Sequence, residues 1–339
     1  MKKTALITGI SGQDGAYLAQ FLLTKNYRVI GADRRSARDN KWRLRYLGLE
    51  NKIEIVNIDL TEISSLMRLF ENYKFDEVYN LAAQSFVGTS FVNPIVTSQS
   101  TAIGPLNILE VIRNLKKKPK FYQASSSEMF GDVENNYQNE MSKFNPQSPY
   151  AVSKVFAHQI TKNYRDSYKM FAVNGILFNH ESPLRGEEFI TRKITLGLSK
   201  IITGKLNCLE VGNIYAKRDW GYAGDYVEAM WKMLQQKNPE DFVIATGKTY
   251  SIKYFINTAT KILKIKTKWL GSGLNERLIN LKNKKIIIKI NKKFFRPAEV
   301  NYLKGNYSKA KKILKWKPKI NLKELVKIML KSDLKNHVK

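Results

Sequence analysis

The sequence predicts a doubly wound, mostly parallel α/β sheet with a smaller α/β lobe formed by its C-terminal part. Three observations carry this reading. Short apolar runs alternate with amphipathic stretches over the first half of the chain. A glycine-spaced loop follows the first apolar run directly. The alternation then loosens past residue 180. Strands that alternate with helices need crossover connections, and those favour a parallel sheet.

Residues 4–8, TALIT, read as the first strand, and residues 16–25, AYLAQFLLTK, repeat their apolar positions at helical spacing. RVIGA at 28–32 is a second strand, and IEIVNI at 53–58 is a third that ends at Asp59. A helix over 63–73, a fourth strand EVYNLAA at 77–83, a long helix over 94–115 and a fifth strand KFYQASS at 120–126 follow. Charged loops at 182–189 and 216–221 interrupt the pattern, which returns as a helix at 221–236 and a strand at 241–246. Residues 251–335 mix short helices with basic strands. The expected division is a dinucleotide-binding part of residues 1–178, completed by 212–247, and a substrate lobe of 179–211 and 248–339.

Composition narrows the class. With 339 residues the chain can bury a large core, and 43% apolar residues argue against disorder. The single cysteine, Cys208, excludes an internal disulfide and a cysteine metal cluster, and the three histidines show no ligand spacing. A reducing, cytoplasmic setting is expected. The start MKKTALITG is interrupted by polar and glycine residues too early for a secretory signal, and no apolar run is long enough to span a bilayer. The net charge of +29 is spread along the chain, as in LINLKNKKIIIKINKK at 279–294. It reads as lysine decoration rather than a nucleic-acid or membrane site, though it would steer an anionic substrate.

Gly9, Gly12 and Gly15 form G-x-x-G-x-x-G between the first strand and the first helix. Glycines there let the backbone approach a pyrophosphate, and the helix N-terminus supplies N–H groups and a positive dipole end. This is the Rossmann dinucleotide context. At the end of the second strand an acidic residue suits the ribose hydroxyls of NAD, whereas arginine suits the 2′-phosphate of NADP. Here Asp33 is followed by Arg34, Arg35 and Ser36, which favours NADP while Asp33 keeps NAD open.

Tyr150 and Lys154, in SPYAVSK, lie on one face of a helix at i, i+4 spacing. An ammonium beside a phenol favours the phenolate, so the Tyr150 pKa is expected to fall toward the working pH. Such a tyrosine can take a proton from a sugar hydroxyl during oxidation. A solvated helix face would give the same spacing. Ser125, Ser126, Ser127 and Glu128 follow the fifth strand, at the sheet edge where ligands bind. A plain dehydrogenase needs no carboxylate beside the tyrosine; a dehydratase needs a base for the proton made acidic by oxidation next to it. A local cap or salt bridge is the alternative role for Glu128.

These residues resemble the GDP-mannose 4,6-dehydratases of the extended short-chain dehydrogenase/reductase superfamily. The similarity rests on TGISGQDGAYLA, YNLAAQSFVGTSF, FYQASSSEMFG, SPYAVSK, NGILFNHESPLRGEEFITRKIT, AKRDWGYAGDYVEAMWKMLQQ and FFRPAEVNYLKGNYSKAKKILKWKP. The resemblance implies that Ser126 bonds the sugar 4-hydroxyl and Glu128 works as base and acid at C5 and C6. It makes Tyr150, with Lys154, the base at the 4-hydroxyl. It implies cofactor contacts at Gly9, Ile10, Ser11, Gly12, Gln13, Asp14, Gly15, Arg34, Arg35 and Ser36. Asp59, Leu60, Leu81, Ala82, Ala83, Gln84 and Ser85 extend that set, with His180 and Arg185. GDP-sugar contacts fall on Ser85, Asn179, Lys193, Arg218, Arg296 and Glu299. Two features depart from the family: Val96 stands where a cofactor-contacting tyrosine is common, and SQSTAIGP at 98–105 lacks the usual Asp or Asn.

The implied activity is NADP-dependent dehydration of GDP-mannose to GDP-4-keto-6-deoxymannose. A nucleotide-sugar 4-epimerase or 4-reductase would use the same glycine loop, Tyr150 and Lys154. A basic, non-catalytic polyanion binder would need none of them. The family also implies a homo-oligomer, dimer or tetramer, in which the run at 34–43 could reach a neighbour's cofactor.

Overall fold

The computed structural model describes residues 2–132, 137–295 and 298–337. Seven strands form one parallel sheet. Six of them are β1 (Thr4–Thr8), β2 (Arg28–Asp33), β3 (Glu54–Asn57), β4 (Glu77–Asn80), β5 (Lys120–Ser126) and β6 (Ala172–Leu177). The seventh, Phe242–Ile244, pairs with β6, and across the sheet the order is Phe242–Ile244, β6, β5, β4, β1, β2, β3. The order reverses between β1 and β4, which places the switch point of the sheet at their carboxyl ends, where such folds bind ligands.

Both faces of the sheet are covered, which explains why its strands read as apolar runs rather than alternating ones. Ala5 and Ile7 pack into a core with α1 (Gln13–Thr24) and the helix Ala223–Leu234. Leu6 points the other way, into a core with Leu66, Leu69, Ile108, Ile112 and Tyr164. A second lobe packs the helices Ile190–Ile202, Ile252–Ile262 and Leu322–His337 on a four-stranded sheet. The lysine-rich run at 279–294 contributes the strand Ile286–Ile290 to it, burying Ile287 and Ile288 while Lys289 and Lys293 pair with Glu210. Arg192 and Asp333 form a buried ion pair that ties the last helix to this lobe. The segment 308–316 crosses back: Ala310, Leu314 and Trp316 join the core of the large sheet.

Two elements differ from the sequence reading for local reasons. The fourth strand stops at Asn80, because the Leu81 and Ala82 N–H groups both donate to the Thr8 side-chain hydroxyl, at 3.2 Å each, instead of to the backbone of a neighbouring strand. The helical stretch from 94 widens into a π-turn over Gln99–Ile103. Pro105 follows it and cannot donate to a preceding carbonyl, which a widened turn accommodates.

Candidate active site

The glycine loop is dictated by close backbone approach. Gly9 has φ +70°, and a Cβ there would lie 2.9 Å from the Ala82 nitrogen. A Cβ on Gly15 would lie 2.4 Å from the Gly9 carbonyl oxygen. No other residue type fits either position, and the cradle they leave begins a cavity of about 600 Å³. The cavity runs from this loop past Asp33, Arg34, Asp59 and Leu60 on one side, and past Leu81, Ala82, Ala83, Gln84 and Ser85 on another. It reaches Ser126, Glu128, Tyr150, Lys154, Asn179, His180 and Arg185.

At the end of β5 the Ser126 hydroxyl accepts from the Glu128 N–H at 3.2 Å. That cap starts a short 3-10 turn, Ser127–Phe130, which turns Glu128 into the cavity wall. Gly131 closes the turn at φ +68°, against the Asn145 carbonyl. The helix Pro149–Tyr168 starts with Ser148 accepting from the Ala151 N–H and with Pro149 in its first turn. One turn separates Tyr150 from Lys154, and both are buried. Tyr150 hydrogen-bonds Ser126. Lys154 donates to the Ala124 carbonyl at 2.7 Å, and its Nζ lies 5.8 Å from the Tyr150 ring centre.

The electrostatics correct one expectation. Burial pushes the Tyr150 phenol up to about 12; the Ser126 hydrogen bond pulls it down and Glu128 pushes it further up. Lys154 is bonded to a carbonyl rather than to the phenol, and burial pushes its ammonium down to about 8 against the opposing pull of Asp14. The protein's own groups therefore disfavour the phenolate, with burial opposing the charged ring and Lys154 turned to a carbonyl.

Several expected contacts lie elsewhere. Ile10 is a core side chain beneath Gly31, where a Cβ would meet it at 2.5 Å. Arg35 and Ser36 are exposed beyond the cavity wall. Lys193 lies outside the cavity lining with its Nζ 3.4 Å from the centre of the Phe294 ring. Arg218 and Glu299, also outside it, pair with each other at 3.1 Å. Arg296 lies outside the described residues. Asn179 is inside, and its side-chain oxygen is buried with no hydrogen-bond partner among the described residues. Val96 and Ser100, in the departing segment, line the rim.

A sequence model of the family described as GDP-mannose 4,6 dehydratase matches residues 6–329. The chain belongs to the GDP-mannose 4,6-dehydratase family. A GDP-mannose 4,6-dehydratase of Vibrio cholerae serotype O1 is 49% identical to it over 98% of this chain and 94% of its own. Among solved structures, a dTDP-glucose 4,6-dehydratase of Bacillus anthracis in complex with NAD superposes with a TM-score of 0.81. It is 18% identical and covers 99% of this chain and 98% of its own. RMD of Pseudomonas aeruginosa, complexed with NADPH, gives 0.77 at 22% identity and covers 99% of each chain. The family match extends through both lobes, so it includes the basic second half as well as the glycine-loop half.

Sequence reasoning missed Arg43. Its guanidinium donates to the Leu184 carbonyl at 2.7 Å and the Ser11 carbonyl at 3.1 Å, stitching the short helix Trp42–Tyr46 to the glycine loop. It sat inside a run read as a solvated or intersubunit basic segment, and nothing local marks one arginine of that run as inward-facing. Glu188 and Phe189, which close the cavity, were likewise hidden in a charged loop.

Proposed function

We propose that this chain dehydrates GDP-mannose to GDP-4-keto-6-deoxymannose with NADP as its cofactor. The observation that carries the proposal is the convergence of Ser126, Glu128, Tyr150 and Lys154 on one cavity that begins at the glycine cradle. The cradle fits a dinucleotide: its walls are backbone, and a Cβ at Gly9 or Gly15 would fill them. Arg34 lines the cavity just past β2, where a 2′-phosphate would lie. Asp33 lines it too, so the preference for NADP rests on a single arginine rather than on the whole 34–36 run.

A bound NADP⁺ would accept hydride from the sugar's C4, return it at C6, and place positive charge beside Tyr150. Tyr150 takes the 4-hydroxyl proton, with Ser126 holding the same hydroxyl, and gives that proton to C5 when hydride reaches C6, which restores the base and the saturated ring. Lys154, anchored on the Ala124 carbonyl, keeps an ammonium near that proton. Glu128 removes the C5 proton and delivers a proton to the departing C6 hydroxyl. The Asn179 oxygen, unpartnered among the described residues, supplies an acceptor for a sugar or ribose hydroxyl. Lys193 and Arg218, which do not line the cavity, have the charge to suit the diphosphate, with Glu299 able to accept from guanine N–H groups. In this reading residues 1–178 with 212–247 hold the cofactor, and 179–211 with 248–339 hold the nucleotide.

We further propose a cytoplasmic homo-oligomer. No helix among the described residues is long and apolar enough to cross a membrane. Exposed Val92, Ile95, Val152 and Phe156 lie on neighbouring helices and form an apolar face that suits a second copy.

The direct test is incubation with GDP-mannose and catalytic NADP⁺, read by mass spectrometry. Loss of one water with no net NADPH is expected. A C4 epimer that keeps its C6 hydroxyl, or stoichiometric NADPH, would replace this reading with an epimerase or reductase.

A further inference from the structure

His180 is flanked on both ring nitrogens by oxygens. Its Nδ1 lies 2.7 Å from the Phe178 carbonyl, and its Nε2 lies 2.7 Å from Oδ2 of Asp14. A neutral imidazole has one N–H, and a carbonyl can only accept. Nδ1 must therefore carry a proton, and a second proton must lie between Nε2 and the carboxylate. Their separation is in the range of charge-assisted bonds. The ring stacks on Tyr226 with centroids 4.6 Å apart, so its orientation is fixed.

The neighbouring residue makes a second stitch between the same two segments. Gln13 donates to the His180 carbonyl at 3.1 Å and to Asp14 at 3.0 Å, and accepts from the Ser182 hydroxyl at 2.7 Å. Gln13 and Asp14 are the first two residues of α1, beside the glycine cradle. The residues 180–182 begin the chain's passage into the second lobe.

We infer that Asp14 and His180 form a proton-sharing, net-neutral clip that holds the start of α1 to the entrance of the second lobe and masks a carboxylate which would otherwise oppose both an anion on the glycine loop and a phenolate at Tyr150. This rests on reading the cavity as a dinucleotide site, and makes His180 a positioning residue. The other charged and titratable groups facing the pair are few. Arg185 approaches from the loop after His180, and Arg43 faces Asp14 from the far side of the glycine loop. Tyr226 lies under the ring, and Tyr122 faces Asp14 from β5. From the helix Pro149–Tyr168, Tyr150 and Lys154 both feel Asp14, which favours the protonated form of each. Burial alone would strip the His180 proton; Asp14 outweighs it and raises His180 above its ordinary value, while His180 holds Asp14 below its own.

The test uses the whole chain labelled with ¹⁵N-histidine. It contains three histidines, so His180 is assigned by difference from H180Q. Two protonated ring nitrogens at His180, at a pH where a free imidazole has lost its second proton, are expected; a singly protonated ring there overturns the inference. A second measurement titrates NADP⁺ by calorimetry. H180Q should weaken binding by about tenfold or more, since it leaves a carboxylate unpaired in a partly buried site. H180Q combined with D14N should recover most of that loss. Equal weakening in the single and double variants would mean that His180 matters only for packing. An unlabelled chain that binds no NADP⁺ would instead remove the functional reading, with the nitrogen spectra still deciding the protonation of the pair.

Discussion

Ser125 and Ser126 are adjacent on β5 and serve opposite faces of it. Ser126 turns toward Tyr150 and Glu128 in the cavity. The Ser125 hydroxyl turns away, to His158 at 3.1 Å and Asn174 at 3.2 Å, although the residue borders the same cavity. Behind Ser125 the polar groups close on one another. Asn174 bonds the His158 carbonyl and Asp241, and Asp241 takes two bonds from Arg165 at 2.6 and 3.0 Å. Burial pushes His158 down to about 4, so it is neutral. The two clusters have similar residue types and similar burial. They differ in closure: the rear one satisfies its own donors and acceptors, whereas the front one opens on a cavity and holds a tyrosine and a lysine away from their ordinary pKa values. The difference teaches that function here follows open geometry and perturbed titration rather than the presence of serine, histidine or carboxylate.

The comparison breaks most visibly if front and rear variants fail in the same way. Tyr150→Phe and, separately, Glu128→Gln should each lower turnover by about 10²–10⁴-fold while the thermal midpoint stays near that of the unaltered chain. Glu128→Gln should still bind GDP-mannose in calorimetry and still exchange hydride at C4. Equal elimination rates would remove Glu128 from the chemistry. At the rear, Arg165→Met leaves Asp241 buried without its cation, which costs about 3–5 kcal/mol of stability in denaturant titrations. Its folded fraction should keep normal turnover per active site. A large turnover loss in a variant that remains stable would show that the rear cluster acts on the reaction.

How much of this was legible in the sequence follows from the same contrast. The glycine loop was readable because steric demand leaves only one residue type at Gly9 and Gly15. β1, β2, β4 and β5 were readable because both of their faces are buried, so apolar residues follow one another along them. Tyr150, Lys154 and Glu128 were found because helical spacing and the strand's end fix where they point. The charge of His180 was not readable, since its partner Asp14 lies 166 residues away in the chain. Neither was the upward pressure on Tyr150, because Lys154's preference for the Ala124 carbonyl is a tertiary fact. In the second lobe Arg218 lies on a strand of only two residues, too short to show a period, and the position of Lys193 on its helix is settled by its tertiary contact with Phe294.

Lys154 sharpens the comparison at intermediate magnitude. Its folded pKa of about 8 lies below the ordinary 10.5, so between those values the unfolded chain binds more protons than the folded one. Stability should therefore rise as pH increases from about 8 toward 10.5, the sign expected of a cation whose burial is unfavourable. At about pH 7 the charged form costs the fold on the order of 1–3 kcal/mol. Lys154→Met should recover part of this and raise the thermal midpoint while lowering turnover. A lower midpoint would mean that the bond to Ala124 outweighs the desolvation it accompanies.

The smallest effect expected is the most discriminating one. Ser125→Ala removes a hydroxyl shared between His158 and Asn174 and leaves their other bonds in place. The loss should be about 1 kcal/mol of stability, the ordinary net value of such a bond. Ser126→Ala should cost a comparable amount of stability, because its hydroxyl caps the Ser127–Phe130 turn, but it should lower turnover as well, because the same hydroxyl faces Tyr150. Two neighbouring hydroxyl deletions on one strand would then differ in turnover rather than in stability. If Ser125→Ala lowered turnover as much as Ser126→Ala with the fold intact, the closed rear network would have to be transmitting its geometry through β5 to the reacting groups.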